Sequence, residues 1–190
     1  MSLYPVIILL YKTSNPMLRR AEEAWELISL AIKRAQKIYA DEPHSTHDTI
    51  LSPSGDFKKT AISDDELPNG DHAIMVTVRG SAGFNDWLVN FNGAPVQAVM
   101  GHGPPQRPRA CHEGFITVAN RMQESVVQAI FEKLDGMANT GRAVDLVFTG
   151  HSAGGAIAKL FYAMSSSSDS QFSVSLPSQS PFYQASPWLA

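Results

Sequence analysis

The stretch from Val144 to Met164 constrains this chain more than any other. An apolar, β-branched run, VDLVFT, passes without a linker into Gly150-His151-Ser152-Ala153-Gly154, and from there into AGGAIAKLFYAM, which has a helical pattern. A buried strand that turns at once into a helix is the repeating unit of an α/β layer, because the helix must fold back over the sheet it has left. The bend between them is sharp. It brings neighbouring main chain so close that only small residues fit two positions either side of Ser152, and Gly150 and Gly154 stand there, with Gly155 giving further room. A serine at the apex of such a bend has a strained backbone, and its hydroxyl is pushed out above the sheet.

The rest of the chain supplies elements for that layer. Leu3–Tyr11 (LYPVIILLY) reads as a buried strand. Asn15-Pro16 offers a capping side chain and a first-turn proline for a helix from Met17 to about Ala40. Its apolar face is read through Ala21, Ala24, Trp25, Ile28, Ala31, Ile32, Ala35, Ile38 and Tyr39. Asp41–Asn69, broken by Pro43, Pro53, Gly55 and Pro68, reads as a long loop with room for one short strand. Ala73–Arg79 (AIMVTVR) is a second buried strand and Asn85–Asn92 a helical turn. Pro95–Met100 is a further strand, Gly101–Arg109 a loop, and Glu113 to about Met137 an amphipathic helix stopped by Asn139-Thr140-Gly141. Strands separated by helices predict an α/β fold with a mostly parallel sheet flanked by helices. From Ser165 onward ten of the remaining 26 residues are serine and no apolar period survives, so residues 1–164 are read as the domain and 165–190 as a disordered tail.

Composition excludes some functions. A net charge of −3 gives no electrostatic basis for binding nucleic acid or an anionic membrane surface. The single cysteine, Cys111, cannot form an internal disulfide, and it reads as a half-buried thiol rather than a nucleophile, since no partner base is identifiable. Leu3–Tyr11 lacks a preceding Lys or Arg and a following cleavage site, and it is too short to cross a bilayer, so a cytoplasmic protein without a transmembrane segment is expected. His44 and His47 are three apart but have no third ligand nearby, so no metal site is expected there.

The chemistry centres on Ser152. The free N–H groups at the start of the following helix favour negative charge developing beside its hydroxyl, as in attack on a carbonyl. His151 neighbours the serine but points elsewhere on such a bend and is read as packing. Upstream stand Arg79-Gly80-Ser81, Asp86-Trp87 and His112-Glu113-Gly114-Phe115. With the strand leading into Gly-His-Ser-x-Gly-Gly, this order resembles the class 3 (fungal-type) lipases of the α/β-hydrolase superfamily, over about half of the chain. The resemblance implies a serine carboxylic-ester hydrolase with Ser152 as nucleophile and an oxyanion hole made by Ser81 and by the Ala153 N–H. It implies a supporting position for Asp86, for which a helix N-cap is an equal reading. The segment Ala82–Asn92 takes the place of the family's lid, with Phe84, Trp87, Leu88 and Phe91 facing substrate. The implied partner is a small ester or lipid, with transient contact at a lipid interface, and no metal or organic cofactor is called for. His112 matches a structural histidine of the family.

One part of the pattern is absent. In α/β-hydrolases the acid and then the histidine follow the serine. After Ser152 this sequence has no histidine and no glutamate, and its one aspartate there is Asp169. His72 and His102 are read as loop residues without precedent as substitutes. The expectation is therefore a partial α/β-hydrolase fold, truncated after the helix that follows Ser152. The strand before Ser152 would then lack its usual neighbours on one side, and the chain would be inactive by itself. The alternatives are a non-catalytic lipase-like binding or signalling protein, or a truncated gene product.

Overall fold

A computed structural model describes residues 6–12, 21–40, 47–51, 58–81, 93–99, 108–137 and 144–165. The elements run in chain order β1 (Val6–Lys12), α1 (Ala21–Lys37), β2 (Thr49–Leu51), β3 (Thr60–Glu66), β4 (His72–Val78), β5 (Pro95–Val99), β6 (Pro108–His112), α2 (Glu113–Met137), β7 (Val144–His151) and α3 (Ala153–Ser165). One sheet has the order β1-β7-β4-β3-β2, and β5 pairs with β6 separately.

The near-continuous apolar runs of β4 and β7 are explained by helices on both faces of the sheet. Leu146 and Phe148 of β7, with Ile74, Val76 and Val78 of β4, pack against Met122 and Val126 of α2 and Ile157 and Phe161 of α3. The alternate residues Val147, Ala73 and Met75 meet Leu27 and Ala31 of α1 on the other face. Thr149 continues that second face, its hydroxyl reaching the Ala31 carbonyl at 3.5 Å. Phe148 and Phe161 are fully buried with ring centroids 6.4 Å apart. Burial of each such side chain stabilises the fold by roughly 1.5–3 kcal/mol.

The sheet is mixed, which corrects the expectation of mostly parallel strands. β4 and β7 run parallel from His72↔Val144 to Val78↔Gly150. The pairs β1–β7, β3–β4 and β2–β3 are antiparallel. Part of the difference originates in Asp41–Asn69, which holds β2 and β3 where a long loop with one short strand was expected, and part in the antiparallel pairing of β1 with β7. Asp64, Asp65 and Glu66 hide the strand pattern of β3, yet the acids have tertiary partners. Asp64 bonds His72 Nδ1 at 2.9 Å, and Asp65 takes Arg34 Nη2 at 2.5 Å and the Ser63 hydroxyl at 2.8 Å. A tight turn joins β3 to β4, closed by Leu67 N–H on the Asp71 carbonyl and Gly70 N–H on the Leu67 carbonyl, both at 2.8 Å. Gly70 sits there at φ 80°. So short a connection can join only antiparallel strands.

A second correction concerns the far side of β7. β1 pairs with it from Val6↔His151 to Lys12↔Asp145, so the strand leading to Ser152 has neighbours on both sides. A third concerns α1, where Leu27, Ala31 and Ala35 are buried, as is Ile38 just past its end. Trp25, expected on that face, is 68% exposed. Two positions from Leu27 is about 200° around a helix, so Trp25 faces away. Asn15, Pro16 and Met17, the expected helix start, lie outside the described residues, as do Asn85–Asn92 and 166–190. Gly101–Arg109 ends in strand rather than loop, because β6 begins at Pro108. Cys111 is half-buried in that strand.

Candidate active site

Ser152 occupies the junction between β7 and α3 at φ 55°, the one positive-φ non-glycine among the described residues. An L-residue there carries roughly 1–2 kcal/mol of strain. Ser152 is exposed, while Ala153 beside it is buried. The Ser152 carbonyl accepts the first helical bonds, from Gly155 N–H at 3.0 Å and Ala156 N–H at 3.4 Å. Ala153 is the first residue of α3. Its N–H therefore has no carbonyl within the helix to bond, and it adds to the positive end of the helix dipole beside the serine.

The glycines show why the bend tolerates no side chain. A Cβ on Gly150 would stand 2.5 Å from the Gly154 carbonyl carbon and 2.7 Å from the Val78 oxygen. A Cβ on Gly154 would stand 2.2 Å from the Val78 oxygen and 2.8 Å from the Gly80 nitrogen. The bend thus lies directly against the chain leaving β4, as the Val78↔Gly150 register requires. Ser81, half-buried, follows Gly80 by one residue, a Cα step of about 3.8 Å. The expected oxyanion residue and the expected nucleophile therefore belong to two backbone segments in contact.

A residue that sequence reasoning assigned to scaffold joins them. Past the end of α1 the chain tightens, with Tyr39 N–H on the Gln36 carbonyl at 3.2 Å and Ala40 N–H on the Lys37 carbonyl at 2.9 Å. The Tyr39 hydroxyl accepts the Gly80 N–H at 2.9 Å and lies 3.1 Å from His151 Nδ1. His151 turns toward α1, the face that Val147 and Thr149 also meet, as period-two alternation along β7 demands. No local signal marks Tyr39, because its partners lie 41 and 112 residues away.

Other expected residues fall elsewhere. His72 is the first residue of β4, not a loop residue, and its register partner is Val144. It thus lies at the opposite end of the strands from Ser152. His112 ends β6 with its ring stacked on Phe115 at 4.4 Å, filling the space beside Gly93. Glu113 N–H reaches the Ala94 carbonyl at 3.2 Å, tying the start of α2 to the paired strands. Asp86, Phe84, Trp87, Leu88, Phe91, His44, His102 and Asp169 lie outside the described residues. Among the described residues no three His, Cys, Asp or Glu gather to hold a metal, and no helix is long and apolar enough to cross a membrane.

The arrangement resembles known proteins. A family model described as lipase (class 3) matches residues 75–179, more than half of the chain and all of the bend. Comparison with curated protein sequences finds no match. A solved structure described by the words "a serine protease triad forms the catalytic centre of a triacylglycerol lipase" is similar, with a TM-score of 0.51 and 19% identity. The likeness covers 81% of this chain and 56% of that one. At that identity it shows a shared fold, of which this chain spans a little over half the other's length.

Proposed function

Because the chain belongs to the class 3 lipase family, we propose that Ser152 is the nucleophile of a carboxylic-ester hydrolase acting on lipid-like esters. The observation that carries this is the exposed serine at φ 55° on the β7–α3 bend, packed against the turn that leads to Ser81. In this reading Ser152 Oγ attacks the ester carbonyl, and the carbonyl oxygen becomes an oxyanion that accepts hydrogen bonds from Ala153 N–H and Ser81. Collapse expels the alcohol and leaves an acyl-serine, which water then cleaves. Family membership also suggests a supporting role for Asp86 and a lid role for the segment with Phe84, Trp87, Leu88 and Phe91.

The step needing help is removal of the serine proton. None of the six histidines follows Ser152 in this sequence, and His151 has Nδ1 on Tyr39. Loss of the triad histidine costs about a millionfold in subtilisin. In this reading Ser152, Ser81 and Ala153 provide the attack geometry and the oxyanion donors, and an added base should speed the reaction.

A fluorophosphonate probe tests this directly. The expected result is slow phosphonylation of the purified chain at Ser152, absent in Ser152→Ala and accelerated by added imidazole acting as an external base. Labelling that survives Ser152→Ala, or none even with imidazole, would remove the esterase reading. The second of these would favour a non-catalytic lipase-like binding protein.

A further inference from the structure

We propose that Tyr39 is a positioning residue, a single phenol that holds the turn carrying Ser81 in register with the bend carrying Ser152. The inference deepens the esterase reading and rests on it for its catalytic consequence.

Tyr39 bonds the residues immediately preceding the two that matter. Its hydroxyl accepts the N–H of Gly80, before Ser81, at 2.9 Å, and lies 3.1 Å from Nδ1 of His151, before Ser152. The ring stands edge-on to the imidazole at 5.6 Å and 84°. The fit is close on the other side as well. A Cβ on Gly80 would sit 2.4 Å from the Tyr39 hydroxyl and 2.3 Å from the His151 carbonyl oxygen. A phenol has one proton and two lone pairs, so it accepts from Gly80 and still donates to a neutral Nδ1 or accepts from a protonated one. Both bonds survive either state of His151.

The geometry has a chemical consequence. Without Tyr39 the Arg79–Gly80 peptide would have a free donor and freedom to rotate, and the orientation of the next amide, Ser81 N–H, would loosen with it. Oxyanion donors act only when aimed in advance at the developing charge. Tyr39 is itself 38% exposed, while its neighbour Ile38 is buried at 1%, so the core anchors the backbone and the hydrogen bonds orient the ring.

The test uses the full chain and its Tyr39→Phe variant, which keeps the ring and removes the hydroxyl. Saturation labelling with the fluorophosphonate should show an inactivation rate constant reduced on the order of tenfold in Tyr39→Phe, with the half-saturating probe concentration unchanged. The Gly80 amide and His151 Nδ1 resonances should shift, and the same change at Trp25, Trp25→Phe, should alter neither rate nor resonances. A folded Tyr39→Phe chain that labels at the parent rate overturns the proposal. If Tyr39→Phe does not fold, hydrogen exchange in the parent decides: a protected Gly80 amide upholds the clamp, and one exchanging as fast as an exposed amide overturns it. If the parent labels no faster than Ser152→Ala, the esterase reading falls instead. The resonances then decide alone: shifted Gly80 and His151 signals in Tyr39→Phe uphold the clamp, and unmoved ones overturn it.

Discussion

Gly154 lies against the carbonyl of Val78 with no space for a methyl group, since a Cβ there would stand 2.2 Å from that oxygen and 2.8 Å from the Arg79 carbonyl carbon. Both obstacles are main chain, so neither can rotate away, and α3 or the end of β4 must move. Gly154→Ala should therefore cost about 3 kcal/mol or more, measured by urea denaturation. Gly136 on α2 is the contrast, because a Cβ there meets nothing within 4 Å. Gly136→Ala should leave stability unchanged or raise it by up to about 1 kcal/mol, by removing glycine's unfolded-state freedom from a helix.

The bend was legible in the sequence because everything that makes it is local. Strand, small residues, serine and helix are contiguous, and the bounds of α2, Glu113–Met137, coincide with those expected from periodicity. What escaped was non-local. The acids of β3 look like loop residues until Arg34 and His72 arrive from elsewhere in the chain. The antiparallel docking of β1 on β7 leaves no mark in either strand, because direction is set by the path between them. Trp25 was assigned by spacing alone, and the burial of Leu27 turned the helix the other way. Tyr39 resembled one more apolar position, and its partners became visible only in three dimensions.

Arg34 links α1 to the antiparallel side of the sheet, with Nη1 on Asp48 at 3.0 Å and Nη2 on Asp65 at 2.5 Å. Burial disfavours its charge, but the hydrogen bond and charge of Asp65, with those of Asp48, exceed that effect, and the pKa is raised. Arg34→Met leaves two largely buried carboxylates without their shared guanidinium and should cost about 3 kcal/mol. A group with a raised folded pKa contributes stability that is complete below its unfolded pKa and lost as pH rises through the folded one. For a guanidinium both lie far into the alkaline range, so the difference between parent and variant should stay level from about pH 7 to about pH 9. Urea midpoints across that range measure it, and a difference that fades toward the alkaline end would contradict the assignment.

The backbone of Ser152 at φ 55° makes a separable prediction about stability and reactivity. Ser152→Ala removes the hydroxyl and keeps the strain of a side chain in the left-handed region. Ser152→Gly removes both. Neither variant should react with a fluorophosphonate, but Ser152→Gly should be the more stable of the two by about 1 kcal/mol. Thermal or urea unfolding of the pair reads this directly, and equal stability would mean that position 152 is not held in that conformation in solution.

His72 offers the sharpest check on where a base could come from. It opens β4 opposite Val144, whereas Ser152 follows the end of β7, and the two strands run parallel in register. At about 3.3 Å per residue, roughly 20–25 Å separates them. The imidazole instead bonds Asp64 through Nδ1 at 2.9 Å. No side-chain motion spans that gap, and proton transfer needs a hydrogen bond or one bridging water. His72→Gln should therefore leave the rate of Ser152 phosphonylation within roughly twofold of the parent, with and without added imidazole. A large loss of labelling in folded His72→Gln would mean that the strands do not lie in this register, and the placement of Ser81 beside the bend would fail with it.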